Sequence, residues 1–83
     1  MSIRSPRGRT ADDLRELMAD RFSRAAILCR GCQEQTAPRV TRAIPVAGGP
    51  NWITSVPRSC GYPSCEGDAL TIIRKLQHDY DLT

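Results

Sequence analysis

The first strong pattern in this chain is helical and follows a short polar N-terminal stretch. Apolar side chains recur three or four positions apart with charged side chains between them, which predicts an amphipathic helix over about residues 11–25. The apolar stripe consists of Leu14, Leu17, Met18, Phe22 and Ala25. Thr10 offers a capping hydroxyl, and Asp12 and Asp13 favour the positive end of the helix dipole. We expect the stripe to pack into the core and not to form a partner-binding groove.

The middle of the chain has the alternation typical of a β-hairpin. Residues 40–46 alternate between two faces, and residues 52–56 form a second run rich in β-branched and aromatic side chains. The segment 47–51 contains two glycines and a proline, which predicts the hairpin loop. Pro45 cannot donate to a strand ladder, so we expect the first strand to lie at an edge or to bend there.

The last segment is helical again. Apolar residues at helical spacing predict a helix over about residues 69–80, with Asp68 as its cap. Residues 1–9 combine Ser, Pro, Gly and Arg without periodicity, which predicts a disordered basic arm. The pattern therefore predicts a single domain over residues 10–83, in the order helix, β-rich region, helix.

The core that this pattern offers is thin for 83 residues, because the chain has only one Phe, one Trp and two Tyr. The predicted core residues are Leu14, Leu17, Phe22, Ile27, Leu28, Val40, Ile44, Val46, Trp52, Ile53, Val56, Leu70, Ile73 and Leu76. A core of this size needs a covalent or metal staple in addition.

Four cysteines in two pairs provide the candidate staple. Cys29 and Cys32 form a C-x2-C segment, and Cys60 and Cys65 form a wider C-x4-C segment, both within the spacing of zinc ligands. Four thiolates suit one tetrahedral Zn²⁺ per chain. The arrangement resembles the zinc ribbons, as a broad architectural class, over about residues 26–66. The predicted fold is therefore a small α+β domain with a zinc-ribbon-like β-hairpin core, a four-cysteine metal site and a flanking helix on each side.

Other uses of the cysteines stay open at this point. Iron accepts the same four thiolates. A redox C-x2-C motif normally begins a helix in a βαβ context, whereas the predicted helix here precedes the motif. Disulfides within each pair require an oxidising compartment, and the polar, basic residues 1–9 do not have the apolar stretch of a signal peptide. We therefore expect a cytoplasmic protein. No apolar run has the length of a membrane span.

The composition gives little support to catalysis. Four protein ligands close the coordination sphere of a metal and leave no position for an activated water. His78 is the only histidine; it could replace one cysteine as a ligand, but a solvated helix position is the simpler interpretation. The glycines at 48 and 49 lack the spacing and the lysine of a phosphate-binding loop. We expect no enzymatic activity and no small-molecule substrate.

The charge pattern indicates a binding function. The net charge is +3, and eleven of the twelve basic residues are arginines. The candidate contact residues for a nucleic acid or another partner are Arg4, Arg7, Arg9, Arg30, Arg39, Arg42 and Arg58. Arg30 and Arg58 adjoin metal ligands, so they could instead offset the charge of the thiolates. Trp52 and Tyr62 could stack on bases, although a lone Trp is more often a core residue.

Two functions follow from these residues. The first is a nucleic-acid-associated regulator or accessory factor in transcription or translation, since the arm and the β-region are basic. The second is a protein-binding adaptor that docks on a larger complex, with zinc purely structural. A thiol oxidoreductase or a metal-storage protein is a third and weaker alternative.

Overall fold

The structure, a computed structural model, describes residues 7–55 and 63–83. The long helices pack against each other, and the strands form two small sheets. The elements in chain order are β1 (Arg7–Arg9), α1 (Ala11–Arg24), α2 (Arg30–Gln33), β2 (Val40–Arg42), β3 (Trp52–Thr54), α3 (Pro63–Asp79) and β4 (Tyr80–Leu82). The predicted α+β class is confirmed. None of the described helices is both long and apolar enough to cross a bilayer.

Helix α1 begins where the sequence places its cap. The Thr10 hydroxyl accepts a hydrogen bond from the Asp13 backbone N–H at 3.2 Å, and the helix ends at Arg24. Leu14, Met18 and Phe22 lie on one face and are fully buried. The apolar stripe of α1 therefore faces the core, against α3 and α2.

Strands β2 and β3 form an antiparallel hairpin that is shorter than the predicted one. Thr41 pairs with Ile53 at its centre, and the last ladder bond joins the Ala43 N–H to the Asn51 carbonyl at 2.8 Å. The chain turns at Ala47 and Gly48, which both have positive φ, and the Gly49 N–H donates to the Val46 carbonyl. Two consecutive positive φ values are typical of a type I′ turn. The ladder thus ends before Pro45, which has no N–H to contribute.

Helix α3 begins at Pro63, six residues before the predicted start near 69. Asp68 therefore lies inside the helix and is not its cap. Proline favours the first helical position, since its fixed φ suits a helix and its missing N–H would have had no helical partner. The early start places Cys65 in the first turn of α3.

Residues 7–9 correct the prediction of a disordered arm, because they form strand β1. This strand runs parallel to β4, with Gly8 opposite Asp81, and the Thr83 N–H donates to the Arg9 carbonyl at 2.9 Å. The Arg9 guanidinium also lies over the Tyr80 ring, 5.4 Å from its centroid. The pairing partner is more than seventy positions away in the sequence, so no local pattern predicts it. The remaining arm residues, 1–6, lie outside the described residues.

Trp52 is the centre of the contact between the hairpin and the C-terminal elements. Its side chain is fully buried, and its indole Nε1–H donates to the Tyr80 carbonyl at 2.9 Å. The Asn51 side chain makes two bonds to the backbone of Leu82, donating to its carbonyl and accepting from its N–H, each at 2.8 Å. The buried hydrophobic residues in the described part of the chain are Leu14, Met18, Phe22, Leu28, Cys32, Trp52, Cys65, Ala69, Ile73, Leu76 and Leu82.

Four of the predicted core residues are on the surface instead. Ile27, Ile44, Val46 and Ile53 are exposed by 71%, 91%, 80% and 52%. Ile53 points to the outer face of the hairpin because side chains alternate along a strand and its neighbour Trp52 points inward. Ile44 and Val46 follow the end of β2, where none of residues 7–55 and 63–83 forms a second layer over the chain. Val56, another predicted core residue, lies outside the described residues.

Candidate metal centre

The three cysteines that the structure describes come together. The sulfur atoms of Cys29, Cys32 and Cys65 all lie within 4.8 Å of one another. Cys32 and Cys65 are buried, and Cys29 is half-buried. Two segments that are more than thirty positions apart in the sequence therefore meet at their thiols, which could hold a metal ion.

The first pair is positioned by the short helix α2. Cys29 is the residue before its first turn, and the Gln33 N–H donates to the Cys29 carbonyl at 3.0 Å. Cys32 lies three positions later, so both side chains project from the same side of the turn. The Gln35 side chain donates to the Cys32 carbonyl at 3.0 Å and the Gln33 side chain to the Ala25 carbonyl at 2.8 Å. These bonds fix the turn to the end of α1.

The third thiol comes from the start of α3. Cys65 lies in the first turn, where the backbone N–H groups of a helix have no helical partner and carry partial positive charge. Helix α1 packs against both α2 and α3, so the packing of its buried stripe brings the two cysteine-bearing ends together.

The spacing of the sulfurs fits tetrahedral thiolate coordination. Zn–S bonds of about 2.3 Å at the tetrahedral angle place sulfur atoms about 3.8 Å apart. The three sulfurs already lie within 4.8 Å, so each pair needs to approach by at most about 1 Å. Rotation about the Cα–Cβ bond of one cysteine covers such a distance. The sulfur atoms of the three cysteines are therefore close to the separations of tetrahedral coordination.

The chain has two further ligand candidates, the predicted Cys60 and the less favoured His78. Cys60, the fourth predicted cysteine, lies outside the described residues. His78 cannot replace a cysteine, because it lies in the last turn of α3 and Cys65 in the first, about 20 Å apart along the axis at 1.5 Å per residue. His78 instead contacts Asp79, with its Nδ1 3.2 Å from the carboxylate oxygen.

The geometry also bears on the alternatives to a metal. The sequence placed no helix after the C-x2-C segment, but Cys29 does precede helix α2. That helix has only four residues, and no βαβ unit surrounds it within the described part of the chain. Disulfides within each pair would not require Cys65 to meet Cys29 and Cys32, whereas a shared metal requires it. The proximity across the two pairs therefore favours the metal over a redox dithiol or within-pair disulfides.

The predicted arginine contacts are spread over the molecule. Arg30 is exposed and bonds to Glu34 at 3.1 Å. Arg39 and Arg42 are exposed, but they are three positions apart on extended chain, so they point to opposite faces of the hairpin. Arg7 and Arg9 belong to β1. Arg4, Arg58 and the aromatic candidate Tyr62 lie outside the described residues, and Trp52 is a core residue.

The sequence pattern does not predict the polar side chains that join the hairpin to the rest of the fold. Asn51 bonds twice to Leu82, and the Gln77 side chain donates to the Trp52 carbonyl at 2.9 Å. The sequence pattern predicts only that Asn51 belongs to the hairpin loop. Its partners are backbone groups distant in the sequence, so residue type and spacing carry no signal for these bonds.

Comparisons of this chain with known protein families, with curated protein sequences and with solved structures give no match.

Proposed function

We propose that this chain is a zinc-stapled binding module in which Cys29, Cys32, Cys60 and Cys65 hold one structural Zn²⁺. The observation that carries the proposal is the meeting of three sulfurs from two distant segments. Cys60 completes the set on sequence grounds: it is five residues before Cys65, a step that spans at most about 18 Å of extended chain. Four thiolates fill the tetrahedral coordination, so the ion has no open position for catalysis.

The metal would act by joining elements that few other contacts join. It links the turn after α1 to the start of α3, while the buried hydrophobic core has eleven members among the described residues. Zinc binding to thiolate sites in small domains contributes about 10–16 kcal/mol and is coupled to folding. That contribution is comparable to the whole stability of a domain of this size, about 4–12 kcal/mol.

Elemental analysis of the reduced, purified protein tests the staple. We expect one zinc per chain, and strong chelation under reducing conditions to remove the helical circular dichroism signal. Cys32→Ser, Cys60→Ser and Cys65→Ser should each lose zinc, whereas Ser64→Ala, an exposed neighbour of Cys65, should retain it. Iron in place of zinc would change the cofactor but retain the site. Full helicity after chelation would refute the structural role.

We propose further that the module is a protein-binding adaptor. Ile44, Val46 and Ile53, here called the hairpin surface, are exposed large apolar residues on or next to one hairpin. Large exposed apolar side chains on neighbouring segments mark protein interaction sites more often than single scattered ones. A rigid domain held by a closed metal site would present this surface to a partner.

The adaptor proposal is tested by affinity capture of the zinc-loaded chain from an extract treated with nuclease. We expect stoichiometric recovery of a protein, and loss of that recovery when the hairpin surface is changed by Ile44→Ser and Val46→Ser. The matched control is Ile27→Ser, which changes an exposed isoleucine on another part of the surface. Capture that nuclease abolishes would contradict the adaptor.

A nucleic-acid-associated regulator or accessory factor in transcription or translation is the second candidate function. It is supported by Arg39 and Arg42, whose exposed guanidinium groups make no ion pair with the described residues. Their positions on opposite faces disfavour one continuous phosphate-binding surface. Binding of a duplex or single-stranded probe that weakens steeply between low and moderate salt would support this candidate. Binding that salt leaves unchanged, or no binding, would reject it.

A further inference from the structure

The outer edges of the four described strands differ in whether a side chain of this chain bonds to their backbone groups. A strand edge exposes backbone N–H and C=O groups, and proteins usually block such edges against unwanted pairing. The outer edge of β4 is met by Asn51, which bonds to both polar groups of Leu82 at 2.8 Å. The outer edge of β3 is met by Gln77, which donates to the Trp52 carbonyl at 2.9 Å.

The outer edge of β1 is blocked in a similar way. The Arg9 carbonyl accepts from the Thr83 N–H and so faces β4, which turns the neighbouring Gly8 carbonyl outward. The Arg9 guanidinium donates to that Gly8 carbonyl at 3.0 Å. Side chains of this chain therefore occupy three of the four edges.

The fourth edge, which no described side chain occupies, is the outer edge of strand β2. Bonds from the Ser55 N–H to the Arg39 carbonyl and from the Ala43 N–H to the Asn51 carbonyl show that the odd-numbered residues of β2 face β3. In an antiparallel pair the residues between them turn their N–H and C=O groups away from the partner. Arg42 is such a residue. Its N–H and C=O groups point away from β3, and outside the hairpin they bond to no described residue.

The surroundings of this edge indicate the chemistry of an occupant. The Arg42 side chain is exposed and makes no ion pair with the described residues, so it can bind an acidic side chain. Ile44 and Val46, exposed by 91% and 80%, follow on the same stretch of chain. A strand that lies along β2 would bury apolar side chains there and place a carboxylate near Arg42.

We propose that the β2 edge binds an extended segment of a partner protein by strand addition, with acidic and β-branched side chains in the added strand. Backbone bonds would supply much of the affinity, and the side chains the specificity. The proposal rests on the adaptor function proposed above. A second copy of this chain is a poorer occupant: antiparallel self-pairing about Arg42 brings two arginines together, and each chain carries a net charge of +3.

Panning a display library of random dodecapeptides against the zinc-loaded protein tests this directly. We expect enrichment of peptides that combine Asp or Glu with Val, Ile or Thr in alternation. N-methylation of alternate peptide amides should abolish binding in one register and leave it nearly unchanged in the other, because only one set faces the edge. Failure to enrich such peptides, or equal effects of both methylation registers, would overturn the proposal.

Variants at Arg42 separate the backbone contribution from the charge. Arg42→Pro removes the outward N–H without removing a ladder bond, and should weaken a selected peptide by about tenfold or more. Arg42→Val retains the N–H and should lose only the salt-dependent part of the affinity. Equal affinity of the two variants would contradict strand addition. Concentration-dependent dimerisation that Arg42→Pro abolishes would contradict a partner segment as the occupant, because it would show that a second copy of this chain binds the edge. If Arg42→Pro does not fold, the methylated peptides still decide.

The capture experiment distinguishes a failure of this inference from a failure of the adaptor function. A protein partner that Arg42→Pro still captures as well as Arg42→Val does would retain the adaptor and reject the β2 edge. Loss of capture with Arg42→Pro but not with Arg42→Val would support both the adaptor function and binding at the β2 edge.

Discussion

Asn51 provides a sharp test of how the hairpin is held to the C-terminal strand. Its amide replaces a missing neighbour strand for Leu82 by donating to one backbone group and accepting from the other, each at 2.8 Å. Asn51→Ala removes both bonds. The N–H and C=O groups of Leu82, a residue that is only 9% exposed, then lose their hydrogen-bond partner. Each bond contributes about 1 kcal/mol net, and an unsatisfied buried group adds to the loss.

We therefore expect Asn51→Ala to lower the free energy of unfolding by about 2–3 kcal/mol. The corresponding fall in Tm is about 10–20 °C for a domain of this size. Urea unfolding of the zinc-loaded protein, followed by fluorescence, measures it, because Trp52 is the only tryptophan and is fully buried. The slope of the free energy of unfolding against urea concentration should stay unchanged if the folded and unfolded states remain as compact as in the parent protein.

Two further variants make the test specific. Asn51→Asp retains the acceptor for the Leu82 N–H but places a carboxylate oxygen against the Leu82 carbonyl, so at neutral pH it should destabilise at least as much. Thr41→Val changes an exposed position of the same hairpin and should remain within about 0.5 kcal/mol of the parent. A loss below about 0.5 kcal/mol for Asn51→Ala would refute the role of the amide as a strand substitute.

Three other positions give independent predictions. Gly67→Ala should stabilise by up to about 1 kcal/mol in thermal unfolding, because the residue lies inside α3 and an added Cβ meets no atom within 4 Å; a lowered Tm would contradict this. Ala47→Asn should raise Tm by a few degrees, since Asn tolerates the positive φ of that turn position better than Ala, and an unchanged or lower Tm would count against the turn geometry. The hydrogen bond from His78 and the charge of Lys75 hold the pKa of Asp79 below its ordinary value, so the stability it contributes is present at neutral pH and lost as pH falls through that lowered pKa. An NMR titration should show the Asp79 midpoint rising in a His78→Ala variant, and an unchanged midpoint would contradict the assigned cause.

The sequence predicted those features that depend on local periodicity and on chemistry with strict spacing. The stripe and cap of α1 follow from residues three and four apart, and the hairpin follows from alternation on either side of a glycine-containing loop. The proximity of Cys29, Cys32 and Cys65 follows from ligand chemistry. In each case the information lies within a short stretch or in a rare residue type.

Non-local contacts account for most of the differences. The pairing of β1 with β4 depends on where α3 ends and not on any pattern in residues 7–9. The start of α3 does have a local signal, a proline followed by Ser64 and Glu66, but the apolar periodicity that predicts the helix begins only near residue 69. Ile44 and Val46 have the residue types of a core strand, yet they follow the end of β2 and none of the described residues buries them.

X-ray absorption spectroscopy of the zinc-loaded, reduced protein tests the metal staple most directly, since it measures the ligand atoms and their distances together. A four-thiolate site gives a shell of four sulfur atoms at about 2.3 Å. A shell containing nitrogen or oxygen at about 2.0–2.1 Å in the parent protein would contradict the four-thiolate site. Failure of the reduced protein to retain zinc would contradict the staple itself.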